Sequence, residues 1–346
     1  MIRNSLEFIS RRIKTKKDIY FRKIFPSFTF TDISKANYRD KVIEIYENYE
    51  SITSSWDIFA QRNPEDENLV KATILSNVKL DKKAKILPIS KKANNSVILY
   101  AGGGGFLANL QLIQENFLKK WAKNTNITVF EAHYTLCPFK KYPYQINELF
   151  NLYMQIVLYY KKIQKVKNLR IAIVGDSAGG TIIMSLMNML ASIDIEIPTA
   201  VCTIYPALDL RTDRFSPSML YSLEDQLLYF TIAKACFKAY VHEESDLNND
   251  WLLCPAIAPD YIFERYPKTY IFFGEKDSMR DDCIRMGYKI HLLSKNQTLL
   301  IQVAGVYHGF LGFQIPLGFG VDEVDIVHKM IQRYLVTLLE ASDRNL

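Results

Sequence analysis

The chain has 346 residues, 49% hydrophobic and 23% charged, with a net charge of +6. That composition is globular, and the length allows one large α/β domain or two smaller ones. The mild charge and the lack of a zinc-finger, RNA-recognition or leucine-zipper pattern leave no reason to expect a nucleic-acid partner.

No stretch approaches the roughly 18 apolar residues of a membrane span. Glu7 and Arg11 interrupt any signal-peptide core at the start. Cys137, Cys202, Cys236, Cys254 and Cys283 are odd in number and form no Cys-x-x-Cys. They read as buried free thiols of a cytoplasmic protein, with no metal ligand set among them.

Residues 1–40 are basic, with Arg3, Arg11, Arg12, Lys14, Lys16, Lys17, Arg22 and Lys23 against Glu7 and Asp18. Leu6, Phe8, Ile9 and Ile13 suggest a helix with an apolar stripe. Such a helix either covers the core with a solvated face or touches a lipid droplet or membrane surface. The aromatic run over 20–28 can pack as a cap or face a ligand. Val42, Ile43, Ile45, Tyr46 and Tyr49 predict a helix over 41–62, and 63–68 breaks it. The β-like runs at 70–76 and 85–89, with a polar turn at 79–83, predict a hairpin leading into the main sheet.

From residue 96 strands and helices alternate. Strands are expected at 96–101, 127–131, 169–174, 199–205, 268–273 and 298–303. Helices are expected near 109–123, 143–164, 178–193, 280–294 and 321–340. This implies a mostly parallel central sheet with helices on both faces. The long interruption at about 207–264 would sit above the sheet as a helical cap.

The chemistry gathers on Gly175-Asp176-Ser177-Ala178-Gly179. An Ile/Val-rich strand precedes it and an apolar helix follows, which is the setting of a nucleophile elbow. A serine hydroxyl needs a base at neutral pH. Of the five histidines, His308 stands in a glycine-flanked loop just past a late strand. His133, His242, His291 and His328 lie in or beside predicted helices or strands. The acid that orients an imidazole is best placed at Asp277, just after the strand 268–273. Glu275 can still lie in the turn, while Asp281 and Asp282 suit a helix N-terminus. Gly102-Gly103-Gly104-Gly105 follows the strand 96–101 and can turn amides toward a developing oxyanion. The expected donors are the N–H groups of Gly103, Gly104 and Ala178. No Gly-Lys-Ser/Thr follows, so a phosphate loop is disfavoured.

Several separated motifs together resemble the hormone-sensitive lipase family of α/β-hydrolases. They are Gly175 to Gly180, His133 to Pro143, Tyr205-Pro206, Gly274 to Asp277, and His308-Gly309-Phe310. The resemblance covers about 95–315 and implies the α/β-hydrolase fold, with the triad in the order Ser177, Asp277, His308. Two positions depart from the family: Gly102 stands where its motif has a loop-bracing His, and Phe139 where it has Glu.

The reading is an N-terminal helical cap region over 1–65 and an α/β-hydrolase catalytic domain over 66–346. The expected activity is cleavage of lipophilic carboxylic esters through an acyl-enzyme, with a small-molecule ester as partner and no metal or cofactor implied. The alternatives are a weak or inactive small-molecule-binding protein on the same fold, and an amidase or deacetylase.

Overall fold

The computed structural model describes residues 13–33, 35–54, 67–80, 86–214, 216–225, 227–312 and 321–340. Eight strands form one sheet in the order β1-β2-β4-β3-β5-β6-β7-β8. They are β1 (Thr15–Arg22), β2 (Leu69–Ser76), β3 (Ser96–Ala101), β4 (Thr128–His133), β5 (Arg170–Asp176), β6 (Ala200–Ile204), β7 (Lys268–Gly274) and β8 (Thr298–Val303). The strands from β4 through β8 pair in parallel, and β2 runs antiparallel to both β1 and β4.

The β-strand period of two sends alternate residues to opposite faces. Val97, Leu99 and Ala101 of β3 enter one core, while Ile98 and Tyr100 enter the other. The first core is covered by α3 (Tyr144–Leu158) and α4 (Ala178–Ile193), following α1 (Ala36–Glu47) and α2 (Gln111–Thr125) in the chain. The second is covered by α2 and by α7 (Val321–Glu340), the last helix after α5 (Phe230–Tyr240) and α6 (Arg280–Leu293). Burial on both faces explains why β3 to β7 read as nearly unbroken apolar runs. All five cysteines are buried and free.

The first third of the chain departs from expectation. Thr15–Arg22 is an edge strand paired with Leu69–Ser76, not a continuation of a basic helix. Lys16, Lys17 and Asp18 are exposed, while Ile19 and Phe21 are buried. Charged side chains of this kind blunt a sheet edge against further pairing. Residues 1–12, with most of the predicted apolar stripe, lie outside the described residues, as does the breaker at 63–66. The expected hairpin is also corrected: β2 finds its antiparallel partners in β1 and β4, and residues 86–89 form no strand of the sheet.

The aromatic run packs as a cover. The Phe25 and Phe28 amides donate to Asn151 and Asn147 of α3. Phe30 meets Trp251 of the 207–264 segment edge-on at 5.2 Å.

The join between β5 and α4 is tight. A Cβ on Gly179 would lie 2.5 Å from the Ala101 carbonyl carbon and 2.6 Å from the Gly102 oxygen. These are backbone atoms at the end of β3 and cannot swing aside. Gly179→Ala is therefore expected to destabilise the fold by about 1–3 kcal/mol, the range for overpacking. A urea midpoint unchanged from wild type would contradict the tight packing.

Candidate active site

Strand β5 ends at Asp176 and helix α4 begins at Ala178, so Ser177 alone makes the turn. Its φ of 51° and ψ of −124° are uncommon for a residue with a side chain and cost roughly 1–3 kcal/mol. The strain falls on the serine rather than on the flanking glycines. Gly175 has a different reason to be glycine, since a Cβ there would lie 2.7 Å from Gly179 backbone atoms.

Ser177 Oγ lies 2.8 Å from His308 Nε2. His308 Nδ1 lies 3.1 Å from each carboxylate oxygen of Asp277. Asp277 is fully buried, and its Oδ1 also accepts the Met279 amide at 2.8 Å. The turn after β7 thus holds the acid, and the loop after β8 carries the imidazole across to the elbow. Burial disfavours the His308 imidazolium, yet the charge and hydrogen bond of Asp277, aided by Asp225 and Asp176, raise its pKa above the ordinary histidine value.

The other acids and histidines have separate occupations. Glu275 accepts the Gly305 amide and Asp281 accepts that of Ser218. Asp281 and Asp282 stand in the first turn of α6, the electrostatic role expected of acids there. His133 bonds Thr73 Oγ1 at 2.7 Å, and burial pushes its pKa down to about 4. Buried His328 accepts from Trp121 Nε1 and donates to the Leu311 carbonyl. His242 and His291 are exposed.

The glycine loop after β3 corrects one expected donor. The Gly103 N–H donates to Asp176 Oδ1 at 2.9 Å and is closed to a substrate. Among the described residues no acceptor takes the N–H of Gly104, Gly105 or Ala178. Asp176 is the hub of this arrangement. Tyr100 donates to its Oδ1, and Tyr205 donates to its Oδ2 at 3.3 Å. Burial raises the Asp176 pKa, although these hydrogen bonds and the nearby His308 oppose that rise. The Tyr205 ring also packs 4.8 Å from that of His308. Sequence reasoning missed Tyr100 and Tyr205 as parts of the site; the position of Tyr205 at the carboxyl end of β6 was the available signal.

Gly102 stands where the resemblance expects a histidine. The space is filled: a Cβ on Gly102 would lie 2.5 Å from Gln114 Nε2.

The 207–264 segment reaches the site at two points. Gly105 backs onto Cys236 of α5, and a Cβ on it would lie 2.5 Å from the sulfur. The next residue, Phe106, stacks on Tyr240 at 3.9 Å between ring centroids. At the other side, Leu227 closes on Gly309, next to His308. A small cleft lies between the segment and the start of α6. Met219, Phe230, Phe237 and Met279 line it together with Arg214 and Lys234. Ser177 and His308 do not line it.

The chain belongs to the alpha/beta hydrolase fold family, whose profile matches residues 98–312, and it is similar to hormone-sensitive lipases. It is 29% identical to mouse hormone-sensitive lipase over 159 residues, 46% of this chain and 21% of that one. The match thus spans about a fifth of that relative's length. Carboxyl esterase 2 of Tuber melanosporum superposes with a TM-score of 0.66 at 20% identity, over 86% of this chain and 99% of the other. An esterase of Pyrobaculum calidifontis superposes with a TM-score of 0.67 at 19% identity, over 91% and 96%. At those identities the two structures speak for the fold. No helix among the described residues is long and apolar enough to cross a membrane.

Proposed function

We propose that the chain is a serine hydrolase that cleaves carboxylic esters of lipophilic substrates through an acyl-enzyme. The observation that carries this reading is the continuous hydrogen-bonded chain from Ser177 through His308 to Asp277, at 2.8 and 3.1 Å.

In this proposal His308 Nε2 takes the Ser177 proton as Oγ attacks the ester carbonyl. Asp277 holds the Nδ1–H tautomer and stabilises the imidazolium. The carbonyl oxygen gains negative charge and is met by the amides of Gly104, Gly105 and Ala178, which replaces the expected donor Gly103 by Gly105. His308 then protonates the leaving alcohol. A water activated by the same imidazole attacks the acyl carbon, and Ser177 leaves with the proton. No step calls on a metal or cofactor.

The 207–264 segment serves as a cap, as its contacts with Gly105 and Gly309 favour. The N-terminal region to residue 65 adds cover through its aromatic run, although it also lends β1 to the sheet.

A series of p-nitrophenyl esters of increasing chain length, run beside the matching anilides, tests the reading. Turnover of the esters with a preferred chain length, and far slower anilide turnover, is expected. A folded chain that turns over no ester while binding such compounds would favour the small-molecule-binding alternative.

A further inference from the structure

Two peptide planes precede the open amides of the glycine loop, and each is pinned by a different neighbour. The plane between Gly102 and Gly103 is held at both ends. Its carbonyl accepts Tyr134 Oη at 2.6 Å, and its N–H donates to Asp176 at 2.9 Å. The plane between Gly103 and Gly104 is held at one end only. Its carbonyl accepts Gln114 Nε2 at 3.2 Å, and its N–H belongs to Gly104.

A peptide is planar and trans, so fixing the carbonyl direction fixes the N–H in the opposite direction. Glycine on either side leaves this plane unusually free to turn over. Gly104, at φ +136°, sits where residues with a side chain are rarely found. Gln114 projects from α2, is buried, and enters the room that the missing Gly102 side chain leaves.

The geometry points to Gln114 as the positioning residue of the oxyanion site: its side-chain amide locks the 103–104 peptide and with it the direction of the Gly104 N–H. Gly102 and Gln114 then form a matched pair, because any side chain at 102 displaces the amide. The inference rests on the proposed hydrolase reading and deepens it. Gln114 touches no substrate. It acts through the direction of a donor whose value appears only as charge develops on the carbonyl oxygen.

The test is Gln114→Met, which keeps length and apolar volume and removes the donor. Removal of an oxyanion donor itself costs roughly 10²–10³-fold in kcat, and loss of its brace is expected to cost less, about tenfold. KM should stay within about twofold, the pattern of an interaction made in the transition state. Affinity for a boronic acid, which mimics the tetrahedral intermediate at Ser177, should fall by the same factor as kcat. A merely structural role would lower the melting temperature without that parallel fall.

Gly102→Ala provides a second route if Gln114→Met folds poorly. It should lower kcat similarly, and it should add little in a Gln114→Ala background. Wild-type kcat and boronate affinity in Gln114→Met, or full additivity of Gly102→Ala with Gln114→Ala, would overturn the inference while leaving the hydrolase reading intact. Wild-type protein with no ester turnover and no labelling of Ser177 would take both down.

Discussion

Ser177→Ala is expected to lower kcat for ester hydrolysis by about 10⁵-fold or more, the scale seen when a triad serine is removed from another serine hydrolase. The reason is that among the described residues no other hydroxyl bonds His308 Nε2, so the remaining site can bind an ester but cannot form the acyl-enzyme. The fold should persist. Among the described residues the hydroxyl bonds only His308, whereas the turn is held by backbone bonds, Ser177 N–H to the Ile204 carbonyl and Thr181 N–H to the Ser177 carbonyl. Circular dichroism and the urea midpoint should therefore match wild type while progress curves fall to background. A variant that retains a hundredth of wild-type kcat would place the nucleophile elsewhere.

The second large effect is at Asp277. Asp277→Asn should lower kcat by about 10⁴-fold, as loss of a triad carboxylate does where the wrong imidazole tautomer results. The pH dependence has a definite sign. His308 must be neutral to accept the serine proton, so kcat/KM rises with pH through the His308 pKa. Asp277 is the chief reason that this pKa stands above its ordinary value despite burial. Removing its charge leaves burial to dominate, which lowers a histidine pKa. The acid limb of the variant should therefore move to lower pH while its plateau drops. An acid limb that stays in place or moves upward would separate Asp277 from the titration of His308.

The sequence carried the sheet from β3 onward because those strands are buried on both faces and read as short apolar runs. It offered Ser177, Asp277 and His308 as a candidate triad because each follows a predicted strand, and the structure brings the three within 2.8 and 3.1 Å of one another. It did not carry β1. Thr15-Lys16-Lys17-Asp18 is charged because an edge strand faces water, and charge in a short segment reads equally well as a solvated helix. The donor register was also hidden. Four identical glycines offer four similar amides, and which one is spent depends on Asp176, whose Oδ1 accepts the Gly103 N–H. Gln114 was invisible for a related reason. A polar residue at a buried helix position declares no partner until Gly102 is seen to leave it room.

The most direct measurement is mass spectrometry of the intact chain and its peptides after reaction with a fluorophosphonate. One phosphonyl adduct, on the peptide that contains Ser177 and absent from Ser177→Ala, is the predicted result. An adduct on a different serine, or a folded wild-type chain that hydrolyses esters yet takes no label at Ser177, would contradict the account.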